Sequence, residues 1–246
     1  MTRQPKRPGP GQSLWARPER AARGPAPEHS RAEIAAAGVA LADANGIGAV
    51  TMRSAAAAIG TAPASLYRYV ASREELVQLM ADQVYGEFSF SEPSAGHPVP
   101  DLLELARQGL AMYRRHPWLL DVPATGTLPG PNAVAFIERS LAALAGADLT
   151  GPAKLETVGL FSGVVRLFAQ TEIGQQRAGQ ETAQWQESLA RYLWDLAADG
   201  QHPHLAAALA DPPAAADPAA RPDAGEAAFE RAMTRILNGL LQPAHP

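Results

Sequence analysis

The run Ser65-Leu66-Tyr67-Arg68-Tyr69 sets a hydroxyl, a guanidinium and two phenols on five consecutive residues, in a chain whose aromatic content is only 6%. Side chains of these types at this density suit recognition of a polyanion. Serine and tyrosine hydroxyls hydrogen-bond to phosphate oxygens, a tyrosine ring covers a thymine methyl, and the arginine fork reads O6 and N7 of guanine. Leu66 and Val70, four residues apart, can anchor the same helix from behind. Residues two apart on a helix point in different directions, so at most one of Tyr67 and Tyr69 shares that anchoring face and at least one ring is spare for a partner. Pro63 and Ala64, just ahead, are small enough to let the helix start approach a groove wall.

The flanking residues supply the elements that must hold this helix. Thr51 is an expected N-cap for a helix over residues 52–59, with Met52, Ala55 and Ile59 facing inward. Gly60 ends it, and Pro63 fits the first turn of the next helix, over 63–69, where its missing N–H costs nothing. Two short helices with a glycine-containing link match a helix-turn-helix. Upstream, Ser30 and Glu33 stand at capping-box spacing and open a first helix with Ile34, Ala37, Gly38 and Leu41 on one face, stopped by Asn45-Gly46. Ser72 and Glu75 repeat that spacing and open a fourth helix carrying Leu76, Leu79, Met80 and Val84.

No convincing strand pattern occurs in the 246 residues, and the alanine-rich composition favours packed helices, so the expected class is all-α. The chain divides into a basic arm (1–29), a helix-turn-helix domain (30–75) and a larger helical domain (76–246) with a loop near 211–224. The arm is rich in Pro, Gly and Arg and is expected to be disordered, either a passive tail or a strand along a groove. Residues 1–80 carry ten basic and six acidic side chains, the remainder eleven and nineteen, a basic front on an acidic body. There is no cysteine, which removes disulfide scaffolds, thiol catalysis and thiolate metal sites. No apolar run approaches the roughly 20 residues that span a bilayer, and no signal-peptide core precedes the domains, so a soluble cytoplasmic protein is expected.

The stretch Gly46 to Val77, "GIGAVTMRSAAAAIGTAPASLYRYVASREELV", resembles the DNA-binding domain of the tetracycline-repressor (TetR) family of bacterial transcription regulators. Its "TMR", "IG", "SLYRYV" and "SREEL" blocks fall in register without a gap. The arm around "SLWARPERAARGP" resembles extensions of some members, and "YRRHPWLL" and "FERAMTRILNGL" look like the ligand-binding domain of the branch nearest the tetracycline repressor itself. The resemblance implies that Thr51 caps and touches the DNA backbone, and that Arg53 reaches a base or phosphate. Pro63, Ala64, Ser65, Tyr67, Arg68 and Tyr69 would face the major groove, and Arg73 would bind phosphate. The family usually has a Ser-like cap before the recognition helix; this chain has Ala62, a loss of about 1 kcal/mol.

The resemblance further implies a homodimer on double-stranded operator DNA and a pocket for a small effector. Expected pocket residues are Tyr113, His116, Trp118, Phe136, Phe161, Phe168, Gln170 and Trp185. The dimer would form through Leu155, Val158, Ser162 and Val165 on a helix near 152–170, with Phe229, Met233, Ile236 and Leu240 on the final helix. No cofactor or metal site is expected; His202-Pro203-His204 lacks a second set of ligands. Two other readings stay open: a DNA-binding co-regulator without a small ligand, and a helical enzyme. The second finds no nucleophile elbow, phosphate loop or metal signature in its favour.

Overall fold

In the computed structural model, residues 14–17, 28–92, 96–123, 128–177, 182–198, 200–210 and 224–242 are described. Among them every regular element is helical. Helix α1 (Arg31–Asn45) opens on the reciprocal capping box read from the sequence: Glu33 N donates to Ser30 Oγ at 3.1 Å and Ser30 N to Glu33 Oε2 at 2.8 Å. Helix α2 (Met52–Ala58) has a second such box, Thr51 with Ser54. Gly60 turns the chain at φ +70°, a backbone state that suits glycine. Helix α3 (Pro63–Leu66) has a single α-helical turn; Ala62 provides no side-chain cap, and residues 67–69 continue as turns.

Helix α4 (Arg73–Tyr85) is the central strut. Ser72 Oγ accepts from Glu75 N at 3.3 Å, but the return bond expected of a capping box is missing. The Glu75 carboxylate instead accepts from Ala71 N at 2.6 Å and pairs with Arg17. One face of α4, with Leu76 and Met80 fully buried, packs on α1. That approach is close: a Cβ on Gly38 of α1 would lie 2.7 Å from Met80 Sδ.

The body follows with α5 (Pro98–Arg115), a 3-10 turn (Pro117–Asp121), α6 (Pro131–Ala143), α7 (Gly151–Arg177), α8 (Thr182–Ala198), α9 (Pro203–Ala210) and α10 (Ala224–Leu240). Helix α7 outruns the expected 152–170, and α9 was not read from the sequence. Helices α5, α6, α7 and α10 pack on one another around Leu102, Leu110, Phe161 and Phe229. Bidentate Arg114–Glu172 and the Arg107–Glu230 pair tie α5 to α7 and α10 across the rim of that core. Helix α8 packs chiefly on α9 and leaves Trp185, Tyr192 and Trp194 exposed.

The expected disorder of residues 1–29 does not hold for Leu14–Arg17. Leu14–Ala16 forms a 3-10 turn with Leu14 buried, and Arg31 Nη1 donates to the carbonyls of Leu14 (3.2 Å) and Arg17 (3.0 Å). Of the 211–224 loop, all but Ala224 lies outside the described residues.

Candidate nucleic-acid interface and ligand cavity

The outer surface of α2 and α3 presents Thr51, Arg53, Pro63, Ala64, Tyr67 and Arg68 to solvent, with Ser65 half-buried. Tyr67 is 54% exposed and Tyr69 only 7%. Tyr69 therefore does not face a groove. It falls three residues after Leu66, on the same helical face, and its hydroxyl accepts from His29 N at 3.4 Å. Its ring still serves the surface, because the Arg68 guanidinium sits 5.9 Å from the ring centroid in a cation–π contact that orients Arg68.

Arg73, half-buried, bonds back into the protein. Its Nε donates to Val50 O and its Nη2 to Ile47 O, both at 2.7 Å. These are the carbonyls of the segment that leads into α2, so Arg73 positions the helix-turn-helix on the first turn of α4. The residue expected on phosphate thus makes this clamp with Nε and Nη2. Thr51 caps α2 as expected while remaining exposed.

A second joint locks α1 to the body. His116, buried at the end of α5, has Nδ1 2.8 Å from Asp43 Oδ1 and Nε2 3.0 Å from Glu87 Oε1. Trp118 Nε1 donates to the same Asp43 oxygen at 2.8 Å, and Arg115 pairs with Glu87. Asp43 belongs to α1 and Glu87 to the segment just after α4, so one imidazole and one indole hold both helices against α5.

Beneath α4 lies a cavity of about 860 Å³. Val77, Gln78, Ala81, Asp82 and Tyr85, at helical spacing, form its α4 wall. Tyr113 of α5, Phe136 and Ile137 of α6, and Leu155, Val158 and Ser162 of α7 complete it. Burial, with the nearby Tyr113 phenol adding to it, pushes the Tyr85 phenol up to about 12, so it stays a proton donor at neutral pH. Desolvation also raises the Asp82 carboxyl, against the backbone N–H groups of Ala133 and Asn132, which donate to it at 3.0 and 3.4 Å. Arg166 caps the 3-10 turn by donating to Leu119, Leu120 and Val122 carbonyls. The site combines aromatic and aliphatic walls with a few fixed polar groups, as small-molecule pockets do.

Of the expected pocket residues, Tyr113 and Phe136 line this cavity. His116 and Trp118 belong to the α1 joint instead. Phe161 is buried core, and Phe168 stacks edge-on against Phe229 with centroids 5.1 Å apart. Gln170 and Trp185 are exposed away from it. The dimer stripe is also redrawn. Val158 and Val165 face the protomer's own core, as do Phe229 and Met233, because each helix turns its apolar stripe toward α5. Leu155 and Ser162 line the cavity, as Val158 does from the core side, and Leu155 is also exposed; Ile236 and Leu240 are half-buried. Among the described residues no cluster of metal-ligating side chains occurs, and no helix is long and apolar enough to cross a membrane.

Trp15, Asp82 and Tyr85 are cavity residues that sequence reading missed. Two faint signals existed: a lone tryptophan in an arm otherwise without aromatics, and a lone aspartate within an apolar helix stripe.

A helix-turn-helix head joined through α4 and the His116 contacts to a helical body that holds a cavity defines a ligand-sensing DNA-binding regulator as a class. Residues 34–80 match the family described as bacterial regulatory proteins, tetR family, and residues 92–243 match the tetracyclin repressor-like C-terminal domain. The chain belongs to the TetR family. It is similar to the HTH-type transcriptional repressor DrrR1 of Streptomyces coeruleorubidus, 34% identical over 92% of this chain and 83% of that protein. Among solved structures it resembles apo ActR of Streptomyces coelicolor, with a TM-score of 0.70 and 27% identity over 89% of this chain and 97% of that one. ActR in complex with actinorhodin gives a TM-score of 0.68 and 27% identity, covering 87% and 96%.

Proposed function

We propose that the chain is a homodimeric transcriptional repressor that reads a palindromic operator and releases it when a small, flat, largely apolar molecule fills the cavity beneath α4. The observation that carries this reading is the double use of α4: one face and its first turn fix the reading head, and the other face walls the cavity. A molecule filling the cavity presses on Val77, Ala81 and Tyr85, and α4 cannot move without carrying α1 and, through Arg73, the start of α2. The ligand must bind the DNA-incompetent arrangement more tightly, and DNA must in turn weaken ligand binding by the same factor.

Twofold symmetry supplies the second reading head, with half-sites one or more helical turns apart. Leu160 and Leu167, both exposed on α7, are the apolar side chains offered to a second copy, with Ile236 and Leu240 at the edge of α10. Tyr67 and Ser65 serve phosphates, and Arg53 and Arg68 read bases. Such a protein acts in the bacterial cytoplasm and needs no cofactor.

The test is fluorescence anisotropy of the full chain on DNA from upstream of its own gene, against a scrambled duplex, across a salt series. Sequence-selective binding with two protomers per site is the expected result. Actinorhodin, which ActR holds in its solved complex, is the first candidate for release. Binding that is equal on both duplexes at every salt concentration overturns the operator reading.

A further inference from the structure

The cavity wall includes one residue from far outside the body. Trp15 lies on the short turn Leu14–Ala16, and it is one of the residues that line the cavity. Its Nε1 donates to Leu128 O at 3.2 Å, on the loop that leads into α6. The ring is seated by close contact: a Cβ on Gly130 would come within 2.5 Å of Trp15 Cζ2 and 2.4 Å of the Asp82 carboxylate. Any side chain at 130 would collide with the indole and the carboxylate, which together fill the space where its Cβ would stand. Trp15 therefore rests where only a glycine at 130 leaves room for it.

The turn that carries Trp15 is fastened on both sides. Leu14 is buried, Arg31 of α1 holds the carbonyls of Leu14 and Arg17, and Arg17 pairs with Glu75 of α4. Glu75 also accepts from Ala71 N, immediately after the recognition segment. The segment thus touches the cavity with one side chain and both struts of the reading head with its neighbours.

We propose that Trp15 is an effector-contacting, specificity-determining residue, supplying an indole face for a planar aromatic ligand, and that Arg17 is the residue that positions it. The inference rests on the cavity being the effector site. The indole lines the cavity together with Tyr85, Tyr113 and Phe136, close to Asp82 of the α4 wall, so a flat ligand bound there gains a stacking surface. Because Arg17 and Arg31 tie the indole's turn to α4 and α1, a ligand pressing on Trp15 acts on the reading head by a route separate from direct contact with α4.

The probe is 8-anilinonaphthalene-1-sulfonate, a fluorescent fused-ring aromatic, titrated into the full chain with the urea-unfolding midpoint measured alongside. Five variants are compared with the parent: Trp15→Leu, Trp15→Phe, Arg17→Ala, Arg17→Lys and the cavity-filling Ala133→Trp. Trp15→Leu keeps an apolar residue over Gly130 but removes the ring, and is expected to weaken the probe about three- to tenfold. Trp15→Phe restores binding to within about twofold, since a ring is again present. Arg17→Ala weakens the probe in the same direction and Arg17→Lys rescues it, whereas a purely structural role would move the unfolding midpoint and leave the affinity alone. Parent-like affinity in Trp15→Leu, with Ala133→Trp abolishing binding, overturns the role of Trp15 and leaves the cavity reading intact. Failure of the parent chain to bind, or unchanged binding in Ala133→Trp, overturns the cavity reading and this inference with it.

Discussion

The two faces of α4 are built to opposite specifications. Toward α1 the contact is closed: Leu76 and Met80 are fully buried, and Gly38 leaves no room even for a methyl group against the Met80 sulfur. Toward the body, Val77, Ala81 and Tyr85 border about 860 Å³ of open space. Close-packed interfaces move as units, while a roomy wall can adapt to an occupant. A helix stiff on one side and yielding on the other transmits a push. Had both faces been closed there would be no site; had both been loose, a filled site would leave the reading head where it was.

Breaking the closed face has the largest expected effect. Leu76→Ala removes a fully buried side chain between α4 and α1 and should cost about 2–5 kcal/mol of unfolding free energy, read by urea denaturation. A cost below about 1 kcal/mol would mean the α1–α4 contact relaxes easily, and the stiff half of the comparison would be lost. Next comes the clamp at the head of α4. Arg73→Ala takes the side-chain donor from the Val50 carbonyl and leaves Ile47 O with only the Val50 N–H, with an expected loss of about 1.5–3 kcal/mol in stability. It should weaken binding to all DNA sequences alike, since the start of α2 loses its support. Arg68→Ala marks the contrast: stability holds, while operator affinity falls by about 1–3 kcal/mol with relaxed sequence preference. Anisotropy on matched and mutated duplexes separates the two, and equal, sequence-blind losses from both would remove Arg68 as a base reader.

The same contrast governs what could be read from the sequence. The head was legible because its signals are local: caps at Ser30 and Thr51, Gly60 at the turn, Pro63 at a helix start. The choice between Tyr67 and Tyr69 stayed open, although helical spacing already favoured Tyr69, three residues after Leu66, as the buried ring. The cavity was less legible still, since it is assembled from α4, α5, α6, α7 and residue 15, with Tyr113 and Phe136 the expected residues that reached it. An amphipathic stripe states that a face is buried without saying in what. Val158 and Val165 on α7, and Phe229 and Met233 on α10, read equally well as dimer contacts and as core, and here they are core. His116 misled for a related reason: a histidine after a helix and before Pro117 suggests a site, yet its two nitrogens are occupied by Asp43 and Glu87 of the joint.

On the open face, substitutions should be mild in stability and strong in ligand response. Ala81→Val adds two methyl groups into free space, so its cost stays within about 1 kcal/mol, the range of a β-branched residue in a helix. Effector affinity, and with it release from the operator, should fall because the volume is occupied. If Ala81→Val proved as damaging as Leu76→Ala, the two faces would not differ.

The smallest effect belongs to Asp82, which sits where the open face meets α6. Desolvation raises its carboxyl pKa above the ordinary aspartate value of 3.8, while the N–H groups of Ala133 and Asn132 oppose the shift. A carboxyl with a raised pKa binds its proton more readily folded than unfolded. Its contribution to stability is therefore complete below the unfolded value and declines as pH rises through the folded one. Asp82→Asn keeps an oxygen to accept from α6 but cannot ionise. From about pH 4 to about pH 8, the parent should lose stability relative to Asp82→Asn across the lower part of the range and run parallel to it above. Urea midpoints measured at intervals across that range test this directly. Parallel curves throughout would show that the N-terminal N–H groups of α6 compensate the buried charge in full. Asp82 would then be a permanently ionised cap, and the open face of α4 would offer an entering ligand a fixed negative charge in place of a titratable acid.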